Sequence, residues 1–213
     1  MAFVFPKIYP ILDSSVIPAA NRAAFLQTLG CSLADAGVTL LEYRNKTGSI
    51  AELLADAAVL RTALPAGRVK LVLDDRVDLV AQLGFDGVHV DDGDRTPAEA
   101  RALLGPEAII GTFGGSESMV PGVLAVPADY FSIGPVAPTT TKQTGKPPVG
   151  VEGVRRLRAE AGPAPILSAA GGITLELAPR LLEAGASMLA VSAAIFRAVD
   201  PAAEFRRWQQ HLA

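Results

Sequence analysis

Eight short runs of β-type residues recur along the chain, each followed by a stretch with helical spacing, and this alternation is what most constrains the fold. Parallel strands need long crossovers, and a helix is the usual one. The runs fall at Lys7–Leu12, Thr39–Tyr43, Lys70–Leu73, Gly87–Val90, Ala108–Thr112, Tyr130–Ile133, Pro165–Ala169 and Met188–Val191. An open doubly wound sheet is the other arrangement such a pattern allows. Eight regular units favour closure, so the expected fold is α/β, a single-domain TIM (β/α)8 barrel over residues 1–213.

Between the runs, helices are expected over 19–36, from Ser49, over 75–83, from Pro97, weakly over 114–126, over 152–161, from Thr174 to Ala184, and over 202–211. Ser49 with Glu52 three residues on reads as a capping box. Phe205 and Trp208 should pack the last helix on the barrel.

With 213 residues, half of them hydrophobic, the chain suits one core near the lower size limit of such a barrel. The net charge is −3 and no basic block occurs, which argues against a nucleic-acid partner. No apolar run reaches the roughly 20 residues of a membrane helix, and the apolar start lacks the marks of a leader. No membrane partner is expected, and a cytoplasmic location is. The single cysteine, Cys31, excludes an internal disulfide and is expected to be a small buried core residue. Ala- and Leu-rich helix faces permit a homo-oligomer without specifying one.

In a barrel of this kind the active site lies at the C-terminal ends of the strands. After the second run come Arg44, Asn45 and Lys46, the two cations at alternate positions. After the third and fourth come Asp74, Asp75, Asp91, Asp92 and Asp94. Neighbouring strands lie about 4.8 Å apart, so these carboxylates crowd one region. A hard divalent cation such as Mg²⁺ beside a substrate phosphate would relieve their repulsion, and a solvated acidic rim is the other reading. After the sixth run, Pro138–Lys142 and Lys146 offer hydroxyls and ammonium groups suited to phosphate. After the seventh, Gly171 and Gly172 precede a helix start, where backbone N–H groups can receive an anion. His89, flanked by valines, reads as a structural residue rather than a catalyst. No Ser/His/Asp arrangement or HxxxH metal spacing appears.

The segments LLEYRNK, LDDRVDLVAQLGFDGVHVDDGD, ADYFSIGPVAPTTTK, ILSAAGGIT and EAGASMLAVSAAIF, in this order over nearly the whole chain, resemble the thiamine phosphate synthase family. The run GPVAPTTTK followed by KPPVGVEGV is the most specific. Family members join a hydroxymethylpyrimidine diphosphate to a thiazole phosphate and release pyrophosphate. The resemblance implies that Arg44 and Lys46 hold the diphosphate, with Lys142 as a further contact. Asp75 and Asp94 match the Mg²⁺ ligands. Glu42 stands where the family usually has Gln, a pyrimidine contact, and Asp74 where Asn is usual. Thr139 and Thr141 match thiazole phosphate contacts. Gly172 with Gly171 matches the backbone phosphate site, and Val191 and Ser192 its strand-eight side.

Two segments depart from the pattern. The family's Gly-Val-Ser-Thr-His type run reads Gly111-Thr112-Phe113-Gly114-Gly115, and its Gln-Glu pair reads Asp92-Gly93. Phe113 cannot donate the hydrogen bond of the Ser it replaces; the amides of Gly114 and Gly115 are the expected substitutes. Gly115 stands where the related thiazole tautomerases place a catalytic His, which argues against that branch. The departures themselves favour a second alternative, a non-catalytic binder of phosphorylated ligands. A sugar-phosphate epimerase is the third and leaves the Thr-Thr-Thr-Lys run unexplained.

Overall fold

Each β-run pairs in parallel with its neighbours in sequence, and the last pairs with the first, so the sheet closes as β1-β2-β3-β4-β5-β6-β7-β8. The computed structural model describes residues 3–91, 93–139 and 145–213. The strands are β1 (Ile8–Asp13), β2 (Leu40–Arg44), β3 (Lys70–Asp74), β4 (Gly87–Val90), β5 (Ile109–Gly115), β6 (Tyr130–Ile133), β7 (Leu167–Ala170) and β8 (Met188–Val191). Around them lie α1 (Arg22–Asp35), α2 (Ile50–Ala63), α3 (Val77–Leu83), α4 (Pro97–Leu104), α5 (Gly150–Ala161), α6 (Ala178–Glu183), α7 (Ala193–Phe196) and α8 (Pro201–His211). The expected TIM barrel is the observed fold.

Alternate strand residues point inward. Tyr9, Leu40, Val72, Ile109, Tyr130, Met188 and Ala190 fill the interior. The larger core lies between sheet and helices and takes in Phe205 and Trp208 from α8. Gly111 is a packing requirement, since a Cβ there would fall 2.0 Å from Cζ of Tyr130.

Four expectations are corrected. β5 continues to Gly115, because Phe113 and Gly115 pair with Ser132 and Ile133 across a bulge. The helix expected over 114–126 is reduced to one 3-10 turn, Val123–Ala125. At α2 the Ser49 hydroxyl accepts from the Glu52 amide (3.1 Å), but the Glu52 carboxylate turns to Arg22 and Asn45, so only half of the capping box forms. The complete box belongs to Thr96 and Glu99, with Pro97 at the first helical position. Cys31 is exposed, because α1 buries the stripe Leu26, Leu29, Gly30, Leu33 and Ala34 and the thiol lies off it. Among the described residues no helix is long and apolar enough to cross a membrane.

Candidate active site

The C-terminal ends of the strands surround a cavity of about 470 Å³. β2 contributes Glu42 and Arg44, and Lys46 follows on the same alternation, so all three line it. Asp74 ends β3, Asp91 follows β4, and Phe113 stands near the end of β5. Beyond them come Ser132 from β6, Thr139 and Lys146 from the connection to α5, and Ser168 and Gly171 at β7. Val191 and Ser192, at β8 and the start of α7, complete the circuit.

The β2–β4 side is a network of opposite charges. Arg44 pairs with Asp13 and stands 3.5 Å from Asp74. Lys46 pairs with Asp75 and lies 3.1 Å from Asp74 Oδ2. Burial pulls both cations toward neutrality, and the neighbouring Asp74 with its companions more than reverses this, so both stay charged. Asp74, Asp75 and Asp91 each bring a carboxylate oxygen within 4.8 Å of the others. Among the described residues Asp74 Oδ2 and Asp75 Oδ1 are buried and lack a hydrogen-bond partner, the contact of Lys46 with Asp74 being one of charge rather than hydrogen-bond geometry. Three oxygen donors of this kind, two with unused lone pairs, suit a hard divalent cation. Asp75 sits at φ +65°, a left-handed conformation uncommon outside glycine, which turns the chain sharply before α3.

Asp94 joins this cluster from its edge. Its Oδ2 accepts from the Asp91 amide (3.0 Å), and its carboxyl hydrogen-bonds that of Asp75. Burial and that shared hydrogen bond raise Asp94 from 3.8 to about 6. The oxygens that converge are therefore those of Asp74, Asp75 and Asp91. Asp91 was among the carboxylates expected after β4, but the resemblance alone did not single it out as a ligand; its alternation with His89 turns it to the same side.

The floor is a buried polar chain that the sequence did not reveal. Tyr9 donates to Glu42 Oε2 at 2.7 Å, and the Tyr9 and Tyr130 hydroxyls are 2.9 Å apart. His89 Nδ1 is 3.1 Å from the Tyr130 hydroxyl, and its Nε2 faces Asp91 at 3.7 Å. His89 also stacks on Tyr130, with ring centroids 5.5 Å apart. Burial raises the Glu42 carboxyl from 4.5 to about 7, against the lowering charge of His89. Burial alone would depress His89, but Asp91 facing its Nε2 and the charges of Glu42 and Asp74 leave it raised. These residues meet only because four strands point inward at one height, a relation invisible along the chain.

On the β6–β8 side the one charge among the described lining residues is Lys146, from the connection after β6. Ala170, Ala190, Ala193 and Ala194 leave this side open, and Ser168, fully buried, has a hydroxyl with no partner among the described residues. Gly171 and Gly172 adopt φ of +90° and +69°. A Cβ on Gly171 would meet Pro135 Cβ at 2.8 Å, and one on Gly172 would meet Pro138 O at 2.4 Å. The pair thus presses on the chain leaving β6, which Ala137 N also ties to Gly171 O (3.0 Å). The helix expected to open at this pair starts later: Thr174 caps a turn and α6 begins at Ala178. Gly171 lines the cavity; Gly172, Asp75 and Asp94 stand behind that lining. Thr141 and Lys142 lie outside the described residues.

The amides of Gly114 and Gly115 do not replace the missing hydroxyl. Both glycines are buried and neither lines the cavity, because the strand pairing that extends β5 turns them away from it. Phe113 does line it, with Lys146 Nζ 3.9 Å from its ring centroid.

This geometry can be set beside known proteins. A family model described as thiamine monophosphate synthase matches residues 8–195. The chain belongs to the thiamine monophosphate synthase family. Among similar proteins of this family is the thiamine-phosphate synthase of Koribacter versatilis, 38% identical over 196 residues, covering 92% of this chain and 90% of that protein. That of Agrobacterium fabrum is 37% identical over 197 residues, covering 91% and 88%. A solved structure of thiamine phosphate pyrophosphorylase from Pyrococcus furiosus superposes with a TM-score of 0.79 at 24% identity, covering 97% of this chain and 95% of that one, and shares the fold. Seen as a member of this family, the chain brings Glu42, Arg44, Lys46, Asp74, Thr139, Gly171, Val191 and Ser192 to one cavity.

Proposed function

We propose that the protein is a thiamine phosphate synthase that joins hydroxymethylpyrimidine diphosphate to thiazole phosphate, giving thiamine phosphate and pyrophosphate. One observation carries this reading. In a member of the family, a single cavity has paired cations and converging carboxylates on one side and, on the other, a glycine- and hydroxyl-lined wall whose one described cation is Lys146. The first side suits a metal-bound diphosphate and the second a ring bearing a lone phosphate.

Arg44 and Lys46 would hold the departing pyrophosphate and stabilise the charge it gains. Asp75 and Asp94, with Asp74 and Asp91 converging beside them, would hold Mg²⁺. The ion, when bound, supplies further charge neutralisation on the diphosphate. Glu42 would accept a hydrogen bond from the exocyclic amine of the pyrimidine and favour cation character at its methylene as the carbon–oxygen bond breaks. The thiazole nitrogen then forms the new bond to that carbon. No protein nucleophile is needed. Thr139, Thr141, Gly171, Gly172, Val191 and Ser192 are assigned to the thiazole phosphate, and Lys142 to the diphosphate. The reaction is placed in the cytoplasm.

The test is pyrophosphate release by the purified protein given both substrates, with Mg²⁺ and then with chelator. Metal-dependent release matched by thiamine phosphate is expected. No release by folded protein, with an active synthase assayed alongside, would defeat the reading.

A further inference from the structure

Phe113 occupies a cavity-facing position where it can donate nothing to an anion, yet it is not idle packing. Lys146 Nζ sits 3.9 Å from the centre of its ring, and both side chains line the cavity with Arg44 and Lys46. The two residues reach this contact from different elements. Phe113 is fixed near the end of β5 by its pairing with Ser132, whereas Lys146 comes from the connection ahead of α5. An ammonium on a four-carbon stem in a connecting segment has many rotamers. The negative face of an aromatic ring selects among them by attracting the charge. β5 also abuts β4, with Thr112 beside Val90, so the pair stands next to the strand end that carries Asp91. Neighbouring Gly114 could not take over the task, because a Cβ there would lie 2.8 Å from Phe131 Cβ.

We propose that Phe113 is a positioning residue that holds the Lys146 ammonium over the cavity as a further contact for the metal-bound diphosphate, replacing a direct hydroxyl contact with a ring-held cation. This rests on the synthase reading above. The thiazole phosphate, assigned in part to Thr139 of the same connection, is the competing contact, and the two KM values separate them.

Titration calorimetry of the full chain with Mg²⁺-pyrophosphate, alongside KM for each substrate, tests the pair. Lys146→Met should weaken Mg²⁺-pyrophosphate about tenfold, and Phe113→Leu, which keeps bulk without the aromatic face, about threefold. The double variant should be no weaker than Lys146→Met alone to within about twofold, because the ring acts only through the ammonium. Phe113→Tyr restores the face and should restore the affinity. The losses should fall on KM for the diphosphate substrate and leave KM for thiazole phosphate in place. Additive single effects, a Lys146→Met variant of unchanged affinity, or equal losses toward inorganic phosphate and Mg²⁺-pyrophosphate would each overturn the pairing. Unchanged circular dichroism separates these outcomes from misfolding. Wild-type protein that binds no Mg²⁺-pyrophosphate would bring down the synthase reading itself, and the pair with it.

Discussion

The two sides of the barrel mouth are built on different principles. From β2 to β4 the wall is made of long charged side chains that touch one another: Arg44, Lys46, Asp74, Asp75 and Asp91. From β6 to β8 it is made of glycine, alanine and serine, and its shape comes from backbone pressed on backbone. The first side recognises by charge, over distance and in a manner sensitive to pH and salt. The second recognises by fit, at contact only. Substitutions should therefore separate binding from folding on one side and fail to do so on the other.

The largest contrast is expected between Asp75→Asn and Gly172→Ala. Asp75→Asn should lower turnover by about 10²–10³-fold, the range seen when a preorganised electrostatic contact is removed. Its thermal stability should fall by no more than about 1 kcal/mol, since Asn tolerates the left-handed conformation and only the partly exposed pair with Lys46 is lost. Gly172→Ala should lose activity and about 3 kcal/mol of stability together, from the positive φ and the collision with Pro138 O. Steady-state rates and thermal melts on both variants check this. Melts that fall equally would erase the distinction.

Glu42→Gln probes the floor between the two sides and should have the smaller effect. A carboxyl raised from 4.5 to about 7 keeps its proton longer in the folded chain than in the unfolded one. Folding stability should then fall as pH rises from about 4.5 to about 7 and level off above. Gln removes this dependence, so the variant should gain about 3 kcal/mol relative to wild type at pH 8 and little at pH 4.5. Its turnover should drop about tenfold, since a carboxamide stabilises a neighbouring cation less well than a carboxylate. Melts at the two pH values and initial rates at pH 8 decide both points.

How much of this was legible in the sequence follows the same division. The strands could be read because each is a short apolar run between punctuating turns, and charged residues after them could be assigned to the mouth by the polarity of the fold alone. What depended on a partner strand could not. The extension of β5 through two glycines comes from pairing with β6, and glycine on its own signals a break. The late start of α6 reflects Gly171 and Gly172 bearing on the Pro135–Pro138 segment, which pairing alone does not announce. The chain of Tyr9, Tyr130, His89 and Glu42 required knowing which inward residues share a height. Cys31 was misplaced by one helical position's worth of angle, enough to move it from the buried stripe of α1 to solvent.

The contacts of Lys46 with Asp75 and Asp74, and of Arg44 with Asp74, have a consequence for how the mouth of the proposed synthase would fill. On that reading, the cations that would hold the diphosphate and the carboxylates that would hold the metal are already one another's counter-ions. Entry of a metal–diphosphate complex is then a double displacement, two salts exchanging partners, with charge conserved on both sides. A bare anion or a bare cation would instead strand one member of each pair, so the mouth would discriminate against either arriving alone.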